Sequence, residues 1–170
     1  MFKIFSLSSF LGLILILLSA PVMAGQYKND ALGVSFQYPD TLTLDSSNSS
    51  KSPLKIPFSY GKAPMNTSVL FKDTGIDGPL EAFMKAEHER QKNGGYFGQV
   101  KEEFQTLPSG QKAVQLTRKT ALGTIYYFIF PIKGNSKTMA LWHMSNDMAD
   151  PNGEAVKAFN VMKQSLNVQN

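Results

Sequence analysis

The sequence predicts an α+β fold in which an antiparallel sheet is flanked by helices on both faces, an α/β/α sandwich. Much of the chain alternates apolar and polar residues with the period of two that is typical of strands. Residues 77–95 and 151–166 instead repeat their apolar residues with the period of a helix. The segment TIYYFIFPI, residues 124–132, is apolar at almost every position, which indicates a central strand covered on both faces. Such a strand needs a layer of helices on each side of its sheet.

The first strand of the predicted fold lies in VSFQYP, residues 34–39. Val34, Phe36 and Tyr38 alternate with polar residues, so they share one buried face. Pro39 cannot donate a backbone hydrogen bond and ends the strand. TLTL continues as a second short strand, and the apolar-free segment 45–53 is expected to be an exposed loop.

Two further strands are predicted before the first helix. LKIPFSY, residues 54–60, has apolar residues at alternate positions, and Pro57 favours an edge position for it. NTSVLFK, residues 66–72, contains no proline and several bulky or β-branched residues, so it is the stronger strand. The first half of the chain is therefore expected to be rich in β-structure.

A helix is predicted within residues 77–95. Asp77 is the expected cap, Pro79 suits the first turn, and Gly94 and Gly95 end the helix. One face of this helix carries the residues expected to be buried, which are Leu80, Phe83, Met84 and either Glu87 or His88.

The second half of the chain predicts an antiparallel meander and a closing helix. Its four strands are expected at 99–107, 111–120, 124–132 and 137–144, joined by short turns. The closing helix lies within 151–166 and has Asn152 as its expected cap. Its predicted apolar stripe consists of Ala155, Phe159, Met162 and Leu166.

The N-terminus has the three parts of a secretory signal peptide, residues 1–24. Lys3 precedes an apolar run, and Val22 and Ala24 occupy the positions that a signal peptidase recognises. The alternative is an uncleaved anchor, but the densest apolar stretch, 10–20, is shorter than the ~20 residues that span a bilayer. We expect cleavage after Ala24 and a periplasmic or secreted protein without stable membrane insertion.

The remaining segment, residues 25–170, has the length of a single domain. The chain contains no cysteine, so disulfides, thiol catalysis, thiolate metal sites and attachment of a lipid through cysteine are excluded. Its 17 basic and 13 acidic residues are scattered, and only Arg118 and Lys119 form an adjacent basic pair. We expect no nucleic-acid binding. Loose contact between this basic excess and an anionic envelope surface is a further possibility.

Several segments together resemble the PsbP-like superfamily. These are YKNDALGVSFQYPD near the predicted start of the exported chain, LPSGQKAVQL and TIYYFIF in the meander, and the closing helix. The family includes the photosystem II extrinsic subunit, a Ran-binding nuclear transport factor and exported bacterial proteins of unknown role. The resemblance implies a single PsbP-like domain that acts by interaction with other molecules and not by catalysis.

Candidate catalytic residues are few. His143 lies four residues before Asp147, and a hydrolase or metal-dependent enzyme would need both of them to meet His88 in one pocket. On its strand His143 is expected to share a face with Met139 and Leu141, whereas Trp142 points to the other face. His88 has no second ligand four residues away on its helix, so no metal site is predicted there.

The leading hypothesis is therefore a non-enzymatic binding or accessory protein of the cell envelope, monomeric and without a cofactor. Its partner is expected to be another envelope or secreted protein, or a small ligand. Aromatic residues in loops and proline-flanked segments are the best candidates for the contact. The candidate contact residues are Tyr96, Phe97, Phe58, Tyr60, Trp142 and His143.

Overall fold

The computed structural model describes residues 23–45, 54–60, 68–94, 100–132, 134, 136–145 and 153–169. These residues form two antiparallel sheets and two helices. In chain order the elements are β1 (Met23–Asn29), β2 (Val34–Pro39), β3 (Leu42–Leu44), β4 (Lys55–Tyr60), β5 (Ser68–Asp77), α1 (Leu80–Lys92), β6 (Val100–Thr106), β7 (Lys112–Thr120), β8 (Gly123–Pro131), β9 (Lys137–Ser145), α2 (Glu154–Gln164) and β10 (Asn167–Val168).

The larger sheet has seven strands in the order β3-β4-β5-β9-β8-β7-β6. Strands β6 to β9 pair in sequence, each antiparallel to the next, so the predicted meander is confirmed. β8 lies between β7 and β9, and its Phe128, Ile129 and Phe130 are fully buried. The apolar run in TIYYFIF therefore does mark an interior strand.

The smaller sheet, in the order β1-β2-β10, was not predicted as a separate sheet. β1 lies in the polar segment before the first predicted strand and pairs with β2 from Met23 to Asn29. β10 adds two residues to the other side of β2, with Val168 opposite Val34. Val34 and Phe36 of β2 are buried as predicted, and Tyr38 is half-buried.

The expected edge position of β4 is wrong. β4 pairs with β3 on one side and with β5 on the other, so three-residue β3 forms the edge. The backbone N–H of Asp45 donates to the Pro57 carbonyl at 3.0 Å, just beyond the end of β3. Proline has no backbone N–H to donate, and Pro57 lies at the position where the pairing between β4 and β3 ends. A proline is tolerated there because it interrupts no continuing ladder.

Helix α1 packs against one face of the seven-stranded sheet. Its buried Leu80, Phe83 and Met84 form a cluster with alternate residues of β7, β8 and β9. The buried set is the one predicted, with Glu87 and not His88 as its fourth member. Asp77 belongs to β5, and α1 has Pro79 at its N-cap position without a side-chain cap bond, so the predicted cap is wrong.

Helix α2 packs against the opposite set of sheet residues. The predicted stripe on α2 is confirmed, because Ala155, Phe159, Met162 and Leu166 are all at most 1% exposed. Phe159, Met162 and Leu166 belong to a cluster with Phe128 and residues of the smaller sheet. Gly153 occupies the N-cap position of α2, and the predicted cap Asn152 lies outside the described residues.

The α+β class with antiparallel sheets is confirmed by this architecture. The finer prediction of a helix layer on each face is not established, because the described residues contain two helices and the smaller sheet shares one of the faces with α2. The larger core cluster is rich in aromatic side chains and lies between the seven-stranded sheet, α2 and the smaller sheet. Its largest fully buried side chains include Phe36, Phe58, Phe71, Phe128, Phe130 and Phe159.

The predicted signal peptide, residues 1–24, lies almost wholly outside the described residues, which begin at 23. Within the described ranges, no helix has the length and apolar character that crossing a bilayer requires. Cleavage after Ala24 would leave β1 its segment from Gly25 to Asn29, including the buried Tyr27.

Candidate functional site

His143 lies in the core and not in an open pocket. Its side chain is 0% exposed and its ring stacks on that of Tyr126, with the ring centroids 6.3 Å apart. As predicted from strand alternation, it shares a face with Met139 and Leu141, which belong to the cluster around α2. A surface contact through His143 is therefore ruled out by its burial.

His88 lies on α1, on the other side of the sheet. Its Nε2 atom is 2.8 Å from Oε1 of Glu102 on β6, and its side chain is about half exposed. The two histidines are thus separated by the sheet, while Asp147 lies outside the described residues. In the described part of the chain no three His, Asp or Glu residues are grouped closely enough to hold a metal ion.

Phe58 is also a core residue. It is 0% exposed and its ring lies 5.1 Å from that of Tyr38 and 5.4 Å from that of Phe36. The smaller sheet covers it, which the local sequence could not indicate, so its prediction as a surface contact is wrong. Tyr96 and Phe97 lie outside the described residues, and Tyr60 is described only as the last position of β4.

Trp142 is the predicted contact residue that remains half-buried on an accessible face. It lies on β9 and pairs with Leu70 of β5 on one side and with Tyr127 of β8 on the other. Leu70 and Tyr127 are also half-buried, so a row of apolar and aromatic side chains crosses three central strands. We call the region around this row the Trp142 surface; it comprises Leu70, Lys72, Glu87, Arg90, Arg118, Ile125, Tyr127 and Trp142.

Two cavities meet at Trp142. One of about 240 Å³ lies between α1 and the sheet and includes Tyr127 and Arg118 in its lining. The other, of about 320 Å³, lies over β4 and β5 and includes Leu70 and Lys72. Trp142 lines both cavities, so it is the residue that they share on this face of the sheet.

A buried acid and two partners give the first cavity its electrostatic character. Glu87 is 5% exposed, and its Oε2 atom lies 3.3 Å from Nη1 of Arg90, one turn later on α1. The pKa of the Tyr127 hydroxyl is raised to about 12, mainly by burial and also by the Glu87 carboxylate, while the Arg90 guanidinium acts to lower it. The Tyr127 hydroxyl therefore stays protonated at neutral pH and can donate a hydrogen bond.

Lys72 brings a further positive charge to the aromatic residues of the surface. Its ammonium lies 4.8 Å from the centroid of the Tyr127 ring and 5.9 Å from that of Trp142. Such positions over a ring face are attractive because the face carries negative partial charge. Lys72 also lines the cavity over β4 and β5, so its positive charge lies within the Trp142 surface.

Most charged residues of the Trp142 surface were not singled out from the sequence. Glu87 carried a signal, because it lies on the apolar face of α1 with Arg90 three residues later. Arg118 was noticed only as one half of a basic pair. Lys72 and Arg118 lie on different strands, and only the pairing of the sheet shows that both belong to the same face as Trp142.

A larger groove of about 630 Å³ runs along the outer side of α1, next to the edge strand β6. It includes the exposed Phe104 and residues of both charges from α1, among them Lys85 and Glu89. Phe104 is the sole strongly exposed aromatic side chain among the described residues. The groove lacks the buried acid and the aromatic row of the Trp142 surface, so we consider it the weaker candidate.

Comparison with solved structures finds the same fold elsewhere. The solution structure of cyanobacterial PsbP (CyanoP) from Synechocystis sp. PCC 6803 aligns with a TM-score of 0.53 and 14% identity, over 89% of this chain and 95% of that chain. The crystal structure of the Saccharomyces cerevisiae Ran-binding protein Mog1p aligns with a TM-score of 0.47 and 9% identity, over 86% and 96% of the two chains.

The predicted resemblance to the PsbP-like superfamily is thereby confirmed at the level of the fold. At 14% identity this similarity is informative about the fold and not about the function. No protein-family model matches the chain, and no curated protein sequence matches it at a significant level.

Proposed function

We propose that this protein is an exported, non-enzymatic binding domain of the cell envelope, and that it contacts another envelope or secreted protein through the Trp142 surface. One observation carries the proposal. Trp142 and Tyr127 lie half-buried side by side on a sheet face that also holds Lys72 and Arg118, and Arg90 of α1 lines the same cavity.

This combination of residue types is characteristic of binding surfaces. Tryptophan, tyrosine and arginine are the residues enriched at positions that dominate the binding energy of protein interfaces. On this surface the aromatic rings form the floor, and Arg90 and Arg118 stand with them in the lining of one cavity. A partner could bury apolar area on the rings and form charge-assisted hydrogen bonds with the guanidinium groups at the same time.

The alternative function, a hydrolase or metal-dependent enzyme using His143, Asp147 and His88, required these side chains to converge. The buried His143 faces the α2 cluster, whereas His88 pairs with Glu102 on the α1 side. A proton transfer or metal site built on both histidines would have to reach through the sheet. We therefore do not retain this enzyme as a candidate.

A small-ligand carrier is the second candidate function. The 240 Å³ cavity between α1 and the sheet favours it, because this cavity combines apolar walls with a few polar groups. Its volume lies just below the ~300–1,000 Å³ of most small-molecule sites, so the ligand would have to be small.

Export is supported by the N-terminal sequence with its basic start, apolar run and small residues at Val22 and Ala24. The test is mass spectrometry of the protein recovered from the periplasm or the culture medium. We expect an N-terminus at Gly25. An intact residue 1 in a membrane-bound form would show an anchor instead and would overturn this part of the proposal.

The contact surface itself is tested by site-specific photo-crosslinking in the native cell envelope. A photoreactive amino acid at Leu70, in the Trp142 surface, should give a discrete adduct that disappears when Trp142→Ala is added. The matched control has the same amino acid at Phe104, which is exposed outside this surface. Equal adducts from both positions, or an adduct unaffected by Trp142→Ala, would contradict the proposed surface.

A further inference from the structure

We propose that the Trp142 surface recognises an acidic peptide segment of its protein partner. In this arrangement one apolar side chain of the segment enters the 240 Å³ cavity, and an adjacent carboxylate binds Arg118 and Arg90. The inference rests on the proposed function and adds to it the chemistry of the partner.

The dimensions of the surface favour a chain segment over a compact small molecule. The cavity beside α1 holds about 240 Å³, which suits a single large side chain. The second cavity, of about 320 Å³ above β4 and β5, also has Trp142 in its lining, and β9 with Trp142 lies between β5 and β8. An extended segment could fill both cavities with successive side chains while its backbone passes over the Trp142 ring. A ligand of one ring would leave one of the cavities unfilled.

The charges of the surface favour an acidic segment. The lining of the two cavities includes four cationic and two anionic side chains, which are Lys55, Lys72, Arg90, Arg118, Glu87 and Asp73. The two carboxylates already have cationic neighbours, since Glu87 lies 3.3 Å from Arg90 and Asp73 lies 2.8 Å from Lys137. The region thus carries a positive excess, which attracts a segment of opposite charge.

Asp73 in particular is already matched by its surroundings. Burial raises the pKa of its carboxyl, but the hydrogen bonds from Lys137 and from the backbone N–H of Gly75 outweigh this and lower it overall. Asp73 is therefore ionised at neutral pH and held by these two donors. The negative charge of Asp73 is largely neutralised by Lys137, so Asp73 does not strongly repel an acidic partner.

The donor groups of the first cavity suit a carboxylate. A guanidinium has five N–H donors in a planar fork that matches the two oxygens of a carboxylate, so Arg90 can hold Glu87 and a second acid together. Arg118 lines this cavity from β7, whereas Arg90 lines it from α1. The Tyr127 hydroxyl lies in the same lining and remains protonated, so it adds a neutral donor. A primary amine or a cationic segment would be repelled by the two guanidinium groups and offers them no acceptor.

The fluorescence of Trp142 provides a direct assay, because it is the only tryptophan in the chain. The exported protein is titrated with three short tryptophan-free peptides: one with Phe flanked by Asp, one with Asn for Asp, and one with Ala for Phe. At low salt we expect the Asp peptide to bind about tenfold more tightly than the Asn peptide, because Asn removes the ionised acceptor of the charge-assisted hydrogen bonds. It should also bind about tenfold more tightly than the Ala peptide, because Ala leaves the cavity beside α1 unfilled. Added salt should reduce the preference for Asp over Asn.

Two charge variants sharpen the assay. Arg118→Gln should remove most of the preference for Asp over Asn while leaving the discrimination between Phe and Ala. Lys101→Gln is the matched control, because it removes one positive charge from β6, where Lys101 forms an exposed pair with Glu103 at 2.8 Å. Equal binding of the Asp and Asn peptides, or an equal effect of the two variants, would overturn the acidic-segment proposal.

The outcomes separate this inference from the proposed function. If the peptides show no acidic preference but crosslinking from Leu70 still depends on Trp142, the partner chemistry is wrong and the binding surface stands. If both experiments fail, the proposed surface is wrong. If 3-phenylpropionate binds as tightly as the Asp peptide, the occupant is a small carboxylate and the peptide proposal is overturned.

Discussion

The two faces of the seven-stranded sheet are built from the same strands but are covered to different extents. On β8, Phe128 and Phe130 are 0% exposed toward α2, whereas Tyr127, which directly precedes Phe128, is half-buried on the α1 face. On β9, His143 is 0% exposed, and its neighbour Trp142 is half-buried. The face toward α2 is therefore sealed as a core except at the half-buried Tyr126, and the other face leaves Tyr127 and Trp142 accessible.

The coverage of each face explains this difference. On the α2 side the smaller sheet lies beside the helix, and both contribute to one cluster. On the α1 side the 13-residue helix is about 20 Å long, at ~1.5 Å per residue. Seven strands spaced ~4.8 Å apart extend over about 29 Å. Among the described residues, α1 alone cannot cover that width, and the Trp142 surface occupies part of what remains.

Truncation of an aromatic residue on the sealed face should have the largest effect. Phe71 is 0% exposed and its ring centroid lies within 6.3 Å of those of Tyr27, Phe36 and Phe130. We expect Phe71→Ala to lower the free energy of unfolding by about 3–5 kcal/mol, measured by urea denaturation.

The matched control is Phe104→Ala, the same chemical change at a side chain that is 61% exposed. Its cost should stay within about 0.5 kcal/mol, because little buried area is lost. Similar costs for the two variants would show that the sealed face does not hold the core as described.

Truncation on the accessible face should cost less stability but more function. Trp142 is half-buried, so we expect Trp142→Ala to cost about 1–2 kcal/mol, as little apolar area leaves contact with the core. Unfolding is followed by circular dichroism, since the variant has no tryptophan. Trp142→Phe should retain most of the binding. A stability loss as large as that of Phe71→Ala would indicate that Trp142 is a core residue and not a contact.

The stability of the protein should also depend on the ionisation of Tyr127, on the accessible face, at high pH. The pKa of Tyr127 is raised to about 12, so the folded protein holds this proton more tightly than the unfolded chain, in which the phenol has a pKa of about 10. The stability from this group is complete below pH ~10 and is lost as the pH rises toward 12. Between pH 9 and 11, the wild type should lose about 1 kcal/mol more than Tyr127→Phe. An equal loss in both proteins would place the Tyr127 hydroxyl in water.

The smallest expected effect is the coupling between the two histidines across the sheet. In a double-mutant cycle, His88→Ala and His143→Ala should be additive within about 0.5 kcal/mol, because the two side chains lie on opposite faces of the sheet. The cycle of His88→Ala with Glu102→Ala is the control and should show coupling, since these side chains are 2.8 Å apart. A coupling above about 1 kcal/mol between the histidines would restore the convergent site that the enzyme required.

The candidate site shows how far local pattern alone could go. Strand alternation correctly placed His143 with Met139 and Leu141 and set Trp142 on the other face. It could not show that one of these faces is sealed. Phe58 and Trp142 looked equivalent as candidates, yet one is a core residue and the other is accessible. The difference depends on which elements pack above them, and those elements come from distant parts of the chain.

The order of strands and helices follows from the amino-acid sequence, because side-chain periodicity and turn residues act over a few neighbours. β2, the meander and the buried stripes of α1 and α2 all lie where the pattern predicts them. The smaller sheet and the Trp142 surface could not be predicted in this way. β10 meets β2 from the opposite end of the chain, and Lys72 reaches Tyr127 only because β9 lies between their strands. Contacts of this kind are set by the free energy of packing the whole chain and leave no local periodicity to read.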